Sequence, residues 1–204
     1  MIVLTPLLLL LACTPAAPDS SAVADTSDTG ATDSGGGDTG SNAIVTWYFG
    51  TSDGQTPDGS YQEPEEDLLF IRTVDPEAST IHEEVWTSGA KYWTAYDLLH
   101  VVDAAQETFT SNWVTDDGTL EVIGAFDEGD PWAWTAWHST STYQDGKYAG
   151  EWITSEDQTH EDGSNTAIKE VYDADSNHIW SIVEVLTPTT EDKWKDAFST
   201  IEVQ

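Results

Sequence analysis

Residues 109–126 read FTSNWVT-DDG-TLEVIGAF, two runs of strand-forming residues separated by a three-residue turn. Val, Ile, Thr, Phe and Trp are enriched in β-strands, and Asp-Gly between two such runs is the strongest short-range signal for a hairpin. The pattern recurs at once, because Trp134 to Tyr143 and Lys147 to Thr154 flank Gln144-Asp145-Gly146. Consecutive hairpins of this kind predict an antiparallel meander.

Runs of the same composition continue in both directions from this centre, separated by Gly, Asp, Asn and Pro. The expected strands are Ile44 to Phe49, Asp67 to Val74, Thr80 to Thr87, Tyr92 to Val102, Ala167 to Tyr172 and Ile179 to Leu186, with Trp194 to Val203 as a closing strand. Tyr92 to Val102 also fits a short helix, but its aromatic and Thr content favours a strand. Gly50 to Glu66 is rich in turn residues and predicts no regular element.

About ten antiparallel strands in one domain must protect their edges, and closing the sheet is the general solution. The sequence therefore predicts an all-β domain over residues 43–204, an antiparallel meander that closes into a barrel. A two-sheet β-sandwich is the alternative.

The hairpins from Thr119 to Val203 resemble the meandering half of calycin-like or lipocalin-like barrel proteins. The likeness rests on the turns at Tyr143 to Tyr148 and Glu170 to Asp175. The Gly-x-Trp signature of lipocalins is not met, because Val45 stands where the glycine before Trp47 would be. The resemblance thus implies the barrel and no particular ligand.

The amino terminus carries a different signal, an apolar run from Ile2 that ends in Leu10-Leu11-Ala12-Cys13. This ending resembles the lipobox of bacterial lipoproteins, in which the chain is cut before a cysteine that becomes lipid-modified. The resemblance implies a signal peptide over residues 1–12, lipidation of Cys13 and attachment to a membrane through that lipid. A plain secretory signal peptide cut elsewhere is the alternative.

The run is about ten residues long, whereas a membrane-spanning helix needs roughly 20. By resemblance to the enterobacterial sorting rule, Thr14 in place of Asp favours the outer membrane. We therefore expect a lipid-anchored protein of the bacterial cell envelope, with the outer membrane preferred over the inner.

Residues 13–42 consist almost entirely of Ala, Asp, Ser, Thr, Gly and Pro after the cysteine. Such a segment cannot bury enough apolar surface to offset the entropy of ordering, so we expect a disordered tether.

The chain has 38 acidic and 6 basic residues, a formal charge of −32. Removing the five aspartates of the tether leaves about −27 on the domain. Nucleic-acid binding is disfavoured because phosphates require Lys and Arg. Solubility is the simplest use of such a surface, and binding of a cation or a cationic partner is the alternative.

One acidic segment matches part of a calcium-binding loop. It comprises Asp173, Asp175 and Asn177, with Glu184 at the twelfth position, but His178 replaces the required glycine at the sixth. An acidic hairpin turn is the favoured interpretation, so we predict neither a metal site nor a cofactor.

No catalytic motif is recognisable, because the five histidines are scattered and there is no Gly-x-Ser-x-Gly elbow. The prediction is a non-catalytic module, with no catalytic residue assigned. A hydrolase acting through two carboxylates is the competing class, and a purely structural envelope lipoprotein is the third.

All ten tryptophans lie in the β domain, and core packing is their usual role. Small barrels also hold small molecules, which makes Trp132, Trp134, Trp137 and Trp152 candidates to line a ligand cavity. In a regular strand Trp132 and Trp134 would share a face and Trp137 would lie on the other. The expected partner is a small apolar ligand or a protein, and the oligomeric state is left open.

Overall fold

The computed structural model describes residues 42–89, 92–115 and 117–203, so the segment predicted as a signal peptide, Cys13 and the predicted tether up to residue 41 lie outside the described part of the chain. Within the described residues the chain forms ten strands and one helix. They are β1 (Ile44–Gln55), β2 (Glu66–Asp75), β3 (Thr80–Ser88), β4 (Trp93–Asp103), β5 (Thr108–Thr115), β6 (Gly118–Asp130), β7 (Ala133–Tyr143), β8 (Trp152–Thr159), β9 (Asn165–Tyr172), β10 (His178–Thr189) and α1 (Glu191–Phe198).

Every strand pairs antiparallel with its neighbours in the chain, and β1 pairs with β10 to close the barrel. The predicted closed meander is therefore confirmed, and the sandwich is excluded. The segment Trp93–Asp103 is a strand as expected. The β4–β5 ladder is the shortest, with three residue pairs from Val101↔Thr110 to Asp103↔Thr108, and the Tyr96 and Trp113 rings meet edge to face at 5.6 Å where the strands diverge.

Alternate residues of each strand point into the barrel, as the period of two requires. One end of the interior is filled by a close-packed cluster that contains Val74, Ile81, Val102, Phe109, Val122, Phe126, Trp134 and Trp137. Gly124 on β6 faces this cluster, and a Cβ there would lie 2.1 Å from the Phe109 ring. The absence of a side chain at residue 124 thus lets the ring pack against the backbone.

Strand β2 is buried on both faces, which accounts for its continuous apolar run Leu68 to Ile71. Leu68 and Phe70 pack inside the barrel, whereas Leu69 and Ile71 pack outside it against α1. Trp194 of the helix is 4 % exposed and lies between the rings of Trp47 and Trp86. The helix therefore builds a second, external core. No helix in the described residues is long and apolar enough to cross a membrane.

The prediction of a closing strand over Trp194 to Val203 was wrong for most of that segment, which is helical up to Phe198. Thr190 caps the helix by accepting a hydrogen bond from the Lys193 amide, and Glu191 and Asp192 lie in the first turn, where the helix dipole favours negative charge. The closing position of the sheet belongs to β10, which pairs directly with β1.

Several strand bounds also differ from the sequence-based expectation, and the largest differences are in β1 and β8. The expectation of no regular element over Gly50 to Glu66 was wrong up to Gln55, because β1 continues to that residue and pairs there with β10. Gly54 lies against the Trp180 indole, where a Cβ would be 2.6 Å from Nε1. Strand β8 begins at Trp152 rather than Lys147, since the residues before it form a longer turn in which Tyr148 packs on Tyr143.

We predict that Trp194→Ala destabilises the domain by about 3–5 kcal/mol, because it removes a buried indole from the external core. Urea unfolding followed by circular dichroism measures the change. Lys193→Ala, on the exposed side of the same helical turn, should change stability by no more than about 0.5 kcal/mol. A Trp194→Ala effect as small as that of Lys193→Ala would contradict the assigned packing.

Candidate functional site

A cavity of about 260 Å³ occupies the part of the barrel interior beyond the close-packed cluster and extends to the β1–β2 loop. We call it the lumen. Apolar side chains form much of its wall, and they include Phe70, Val85, Leu98, Trp113, Leu120, Trp137, Ile153, Trp180 and Ile182. Charged and hydroxyl groups from eight strands and the loop share this wall, so the lumen combines apolar surface with enclosed polar groups.

Arg72 forms the floor of the lumen, where it reaches from β2 towards the opposite strand β7. Its guanidinium carbon lies 5.3 Å from the Trp134 ring centroid and 5.8 Å from that of Trp137, distances typical of cation–π contacts. Its Nε donates to Glu83 Oε1 at 2.8 Å, and both side chains are buried. A guanidinium without its carboxylate would be an uncompensated buried charge, so the two residues are one structural unit.

Glu83 is held ionised within this unit. Burial alone would raise the pKa of Glu83, but the Arg72 charge and the nearby His100 outweigh it and lower the pKa to about 2. His100 Nε2 lies 3.5 Å from Glu83 Oε2, and the imidazole meets the Phe109 and Trp137 rings edge to face. Arg72 and His100 thus approach different oxygens of the carboxylate.

A second ion pair lines the wall on neighbouring strands. Lys169 Nζ on β9 lies 2.6 Å from Glu184 Oε1 on β10. Burial would lower the pKa of Lys169, but Glu184 and, more weakly, Asp157 and Glu83 raise it overall. Lys169 is therefore charged and paired at neutral pH.

Asp157 on β8 has no such direct partner. It lies opposite Trp137 in the β7–β8 ladder, and burial raises its pKa to about 6. Ser155 Oγ donates to its Oδ2 at 2.7 Å, and Lys169 and Arg72 oppose the effect of burial only in part. Asp157 therefore changes its charge near pH 6 inside the lumen.

Glu63 and Glu66 line the lumen at the loop end of the barrel. Burial raises the pKa of both, and the charge of Glu63 adds to the effect on Glu66. The lumen thus contains five carboxylates against the two permanent cations Arg72 and Lys169. The ion pairs neutralise two carboxylates and leave three.

The four candidate tryptophans fall into two groups. Trp134 and Trp137 share the close-packed cluster with Trp132 against it, and Trp137 also lines the lumen. Trp152 lies apart from them and stacks on the Tyr172 ring at 4.0 Å. Trp134 and Trp137 share an inward face because the β6–β7 register shifts twice, between Phe126 and Gly129. A regular strand, as assumed from the sequence, would have separated them.

The calcium-loop candidates are also divided. Asp173 closes its turn by accepting bonds from the Asn177 amide at 2.8 Å and from Asn177 Nδ2 at 2.8 Å, and these bonds lower its pKa. Asp175 donates its amide to the same carboxylate at 3.0 Å. Glu184 instead faces the lumen beside Lys169. Within the described residues no group of three or more His, Cys, Asp or Glu side chains is placed to hold a metal ion.

Of the charged residues of the lumen, the sequence analysis named only Glu184, and it did so as a calcium candidate rather than as part of a cavity. A signal was present in the sequence for two of the others. Arg72 directly follows the apolar run of β2, and Glu83 lies between Ile81 and Val85 on the same face of β3. Asp157, in the polar segment Thr154 to Thr159, gave no such signal.

No protein-family model, curated protein or solved structure matches this chain. The chemistry of the lumen is therefore the observation from which a function is inferred.

We predict that Asp157→Asn stabilises the protein by about 1–3 kcal/mol at pH 8 and has little effect below pH 4. With a pKa raised from 3.8 to about 6, the folded protein holds the Asp157 proton more tightly than the unfolded chain does. The stability that this proton contributes is complete below the unfolded pKa and is lost as the pH rises through the folded one. Urea unfolding at both pH values measures the difference.

Glu156→Gln is the matched control, because Glu156 precedes Asp157 on the exposed face of β8. Its effect on stability should be small and nearly independent of pH. A destabilised Asp157→Asn protein at pH 8 would show that the ionised carboxylate stabilises the fold.

Proposed function

We propose that this chain is an exported, lipid-anchored protein of the bacterial envelope whose β-barrel binds a small molecule in its lumen without catalysing a reaction. The cavity of about 260 Å³ carries the binding part of the proposal. Small-molecule sites are concave, largely apolar, and contain a few enclosed polar groups that orient the ligand. The lumen has this composition.

The packing of the barrel supports the same interpretation. The close-packed cluster fills one end of the interior. The part near the β1–β2 loop contains the cavity, although large aromatic side chains surround it. A purely structural barrel has no need of enclosed charges, since apolar residues of similar size would fill the space at lower desolvation cost. The enclosed charges are better explained by recognition of a ligand.

The anchor is supported by the sequence Leu10-Leu11-Ala12-Cys13 and by the polar segment after it. Several acyl chains on Cys13 would hold the protein stably at a membrane, because each buried methylene contributes about 0.8 kcal/mol. If residues 14–42 form the tether that their composition predicts, its root-mean-square reach would be about 30 Å. A ligand-binding domain on such a tether would sample the space near the membrane surface.

A carboxylate-dependent hydrolase is the second candidate, and one observation favours it. Asp157 and Glu83 line the same cavity with pKa values of about 6 and about 2, a separation typical of an acid and its ionised partner. Against this, Arg72 and His100 approach the two oxygens of Glu83, which restricts its use as a nucleophile. Hydrolysis of 4-nitrophenyl glycosides or esters that is lost in Asp157→Asn but kept in Glu156→Gln would favour the enzyme.

The anchor is tested by intact-mass spectrometry of the protein extracted with detergent from its native membrane. We expect a mature chain that begins at Cys13 and carries added acyl mass. A chain cut elsewhere, with an unmodified Cys13, would remove the lipid anchor from the proposal and leave the binding function to be judged separately.

Ligand binding is tested with the uncharged dye N-phenyl-1-naphthylamine, whose fluorescence increases in apolar surroundings. We expect saturable binding, and we expect Ser139→Phe to weaken it by at least about tenfold, or roughly 1.4 kcal/mol. The reason is that Ser139 lines the lumen, so a phenyl ring there would occupy part of the cavity.

Thr140→Phe adds the same ring to the exposed face of β7, one residue along, and should leave the affinity unchanged. Circular dichroism checks that both variants fold, and Ser141→Phe serves as a second filling variant because Ser141 also lines the cavity. Equal weakening by Thr140→Phe, or no dye binding by the native protein, would overturn the assignment of the lumen as the site.

A further inference from the structure

We propose that the lumen selects cationic ligands, namely small amphipathic amines whose ammonium group approaches Asp157 and whose apolar part contacts the aromatic wall. This inference rests on the proposed binding function and specifies its ligand class. Three independent observations support it: the charge balance of the lumen, polar groups near its floor that lack hydrogen-bond partners among the described residues, and its aromatic lining.

The charge balance of the lumen is negative. Arg72 and Lys169 are each already in contact with a glutamate, at 2.8 and 2.6 Å. An anionic ligand would have to compete with Glu83 and Glu184 for these cations. An ammonium group instead meets carboxylates that have no direct counterion, and it relieves the cost of ionising them within the barrel.

The polar groups near the floor are not fully bonded. Among the described residues, Ser155 Oγ is the only hydrogen-bond donor to the Asp157 carboxylate, and it contacts Oδ2. His100 is 3 % exposed and lines the lumen. Its Nε2 lies 3.5 Å from Glu83 Oε2, whereas its Nδ1 has no hydrogen-bond partner within the described part of the chain. An ammonium has three donors and no acceptor, so the Asp157 oxygen that receives no hydrogen bond from the described residues is a suitable partner for it.

The aromatic wall suits the same ligand. Phe70, Tyr96, Trp113 and Trp180 line the lumen with Trp137. Aromatic faces attract cations as well as apolar groups, and the attraction strengthens where water is excluded. A charge of about −27 on the domain would further raise the local concentration of cations near the barrel.

The test uses three probes with one skeleton, 2-phenylethylamine, 2-phenylethanol and phenylacetate, which are cationic, neutral and anionic at pH 8. Each competes with N-phenyl-1-naphthylamine for the native protein, and titration calorimetry confirms the affinities. We expect the amine to bind at least about tenfold more tightly than the alcohol, and phenylacetate to bind more weakly than either.

Asp157→Asn removes the charge without changing the shape of the side chain. We expect the ratio of amine to alcohol affinity to fall by at least about fivefold, whereas Glu156→Gln, the exposed control on the same strand, keeps the native ratio. If Asp157→Asn fails to fold, the double variant Glu63→Gln/Glu66→Gln tests the loop end of the lumen and should lower the same ratio.

A second readout separates ligand contact from a structural role. Near pH 6 Asp157 is partly protonated, so binding of an ammonium beside it should release protons, which calorimetry detects as a dependence of the heat on the buffer. The release should vanish at pH 8 and in Asp157→Asn. The other charged or titratable groups that line the lumen are Glu63, Glu66, Arg72, Glu83, Tyr96, His100, Lys169 and Glu184, and the Asp157→Asn comparison separates their contribution.

Equal affinity for the amine and the alcohol, or tightest binding of phenylacetate, would overturn the proposed selectivity for cations. Saturable binding of the dye would still support the proposed function in that case. The same conclusion would follow if the dye bound and none of the three probes displaced it. Failure of the native protein to bind the dye would instead overturn the proposed function itself.

Discussion

The ion pair between Arg72 and Glu83 is the constraint on which the lumen depends. Arg72 is the only arginine of the chain, and its guanidinium lies inside the barrel against aromatic rings of the opposite strand. Removing one partner of such a pair leaves an uncompensated charge, at a cost of about 3–5 kcal/mol. The pair lies where the close-packed cluster meets the cavity, because Arg72 contacts the Trp134 and Trp137 rings of the cluster and both members of the pair line the lumen.

Much of the fold could be predicted because it follows from local rules. Asp-Gly turns and runs of β-branched and aromatic residues define most of the hairpins, and the need to protect sheet edges then leads to closure. The carboxyl-terminal tail could not be predicted in the same way. The apolar side chain of Trp194 could be buried from a strand or from a helix. The helix is favoured because it covers Leu69 and Ile71 on the outward face of β2.

The site was far less accessible to sequence analysis, for a reason that Asp157 and Trp137 illustrate. Residue type alone places an aspartate on the surface and a tryptophan in a core. Their meeting on one inward face depends on the β7–β8 register and on the irregularity between β6 and β7. Register is a property of paired strands, so no single segment reveals which acids enter the lumen.

The distribution of the few basic residues connects surface and lumen. Two of the six lie inside the barrel, although the acidic exterior offers many carboxylates with which they could pair. Inside, each is already in contact with a glutamate and contributes no free positive charge. The two cations allow carboxylates to remain ionised inside the barrel, because a lumen with five carboxylates and no cations would strongly favour protonated acids. Arg72 stabilises Glu83 in the charged form and Lys169 pairs with Glu184, so the carboxylates left for an incoming ligand are those without a direct counterion, and Asp157 is the one nearest to both pairs in its electrostatic contacts.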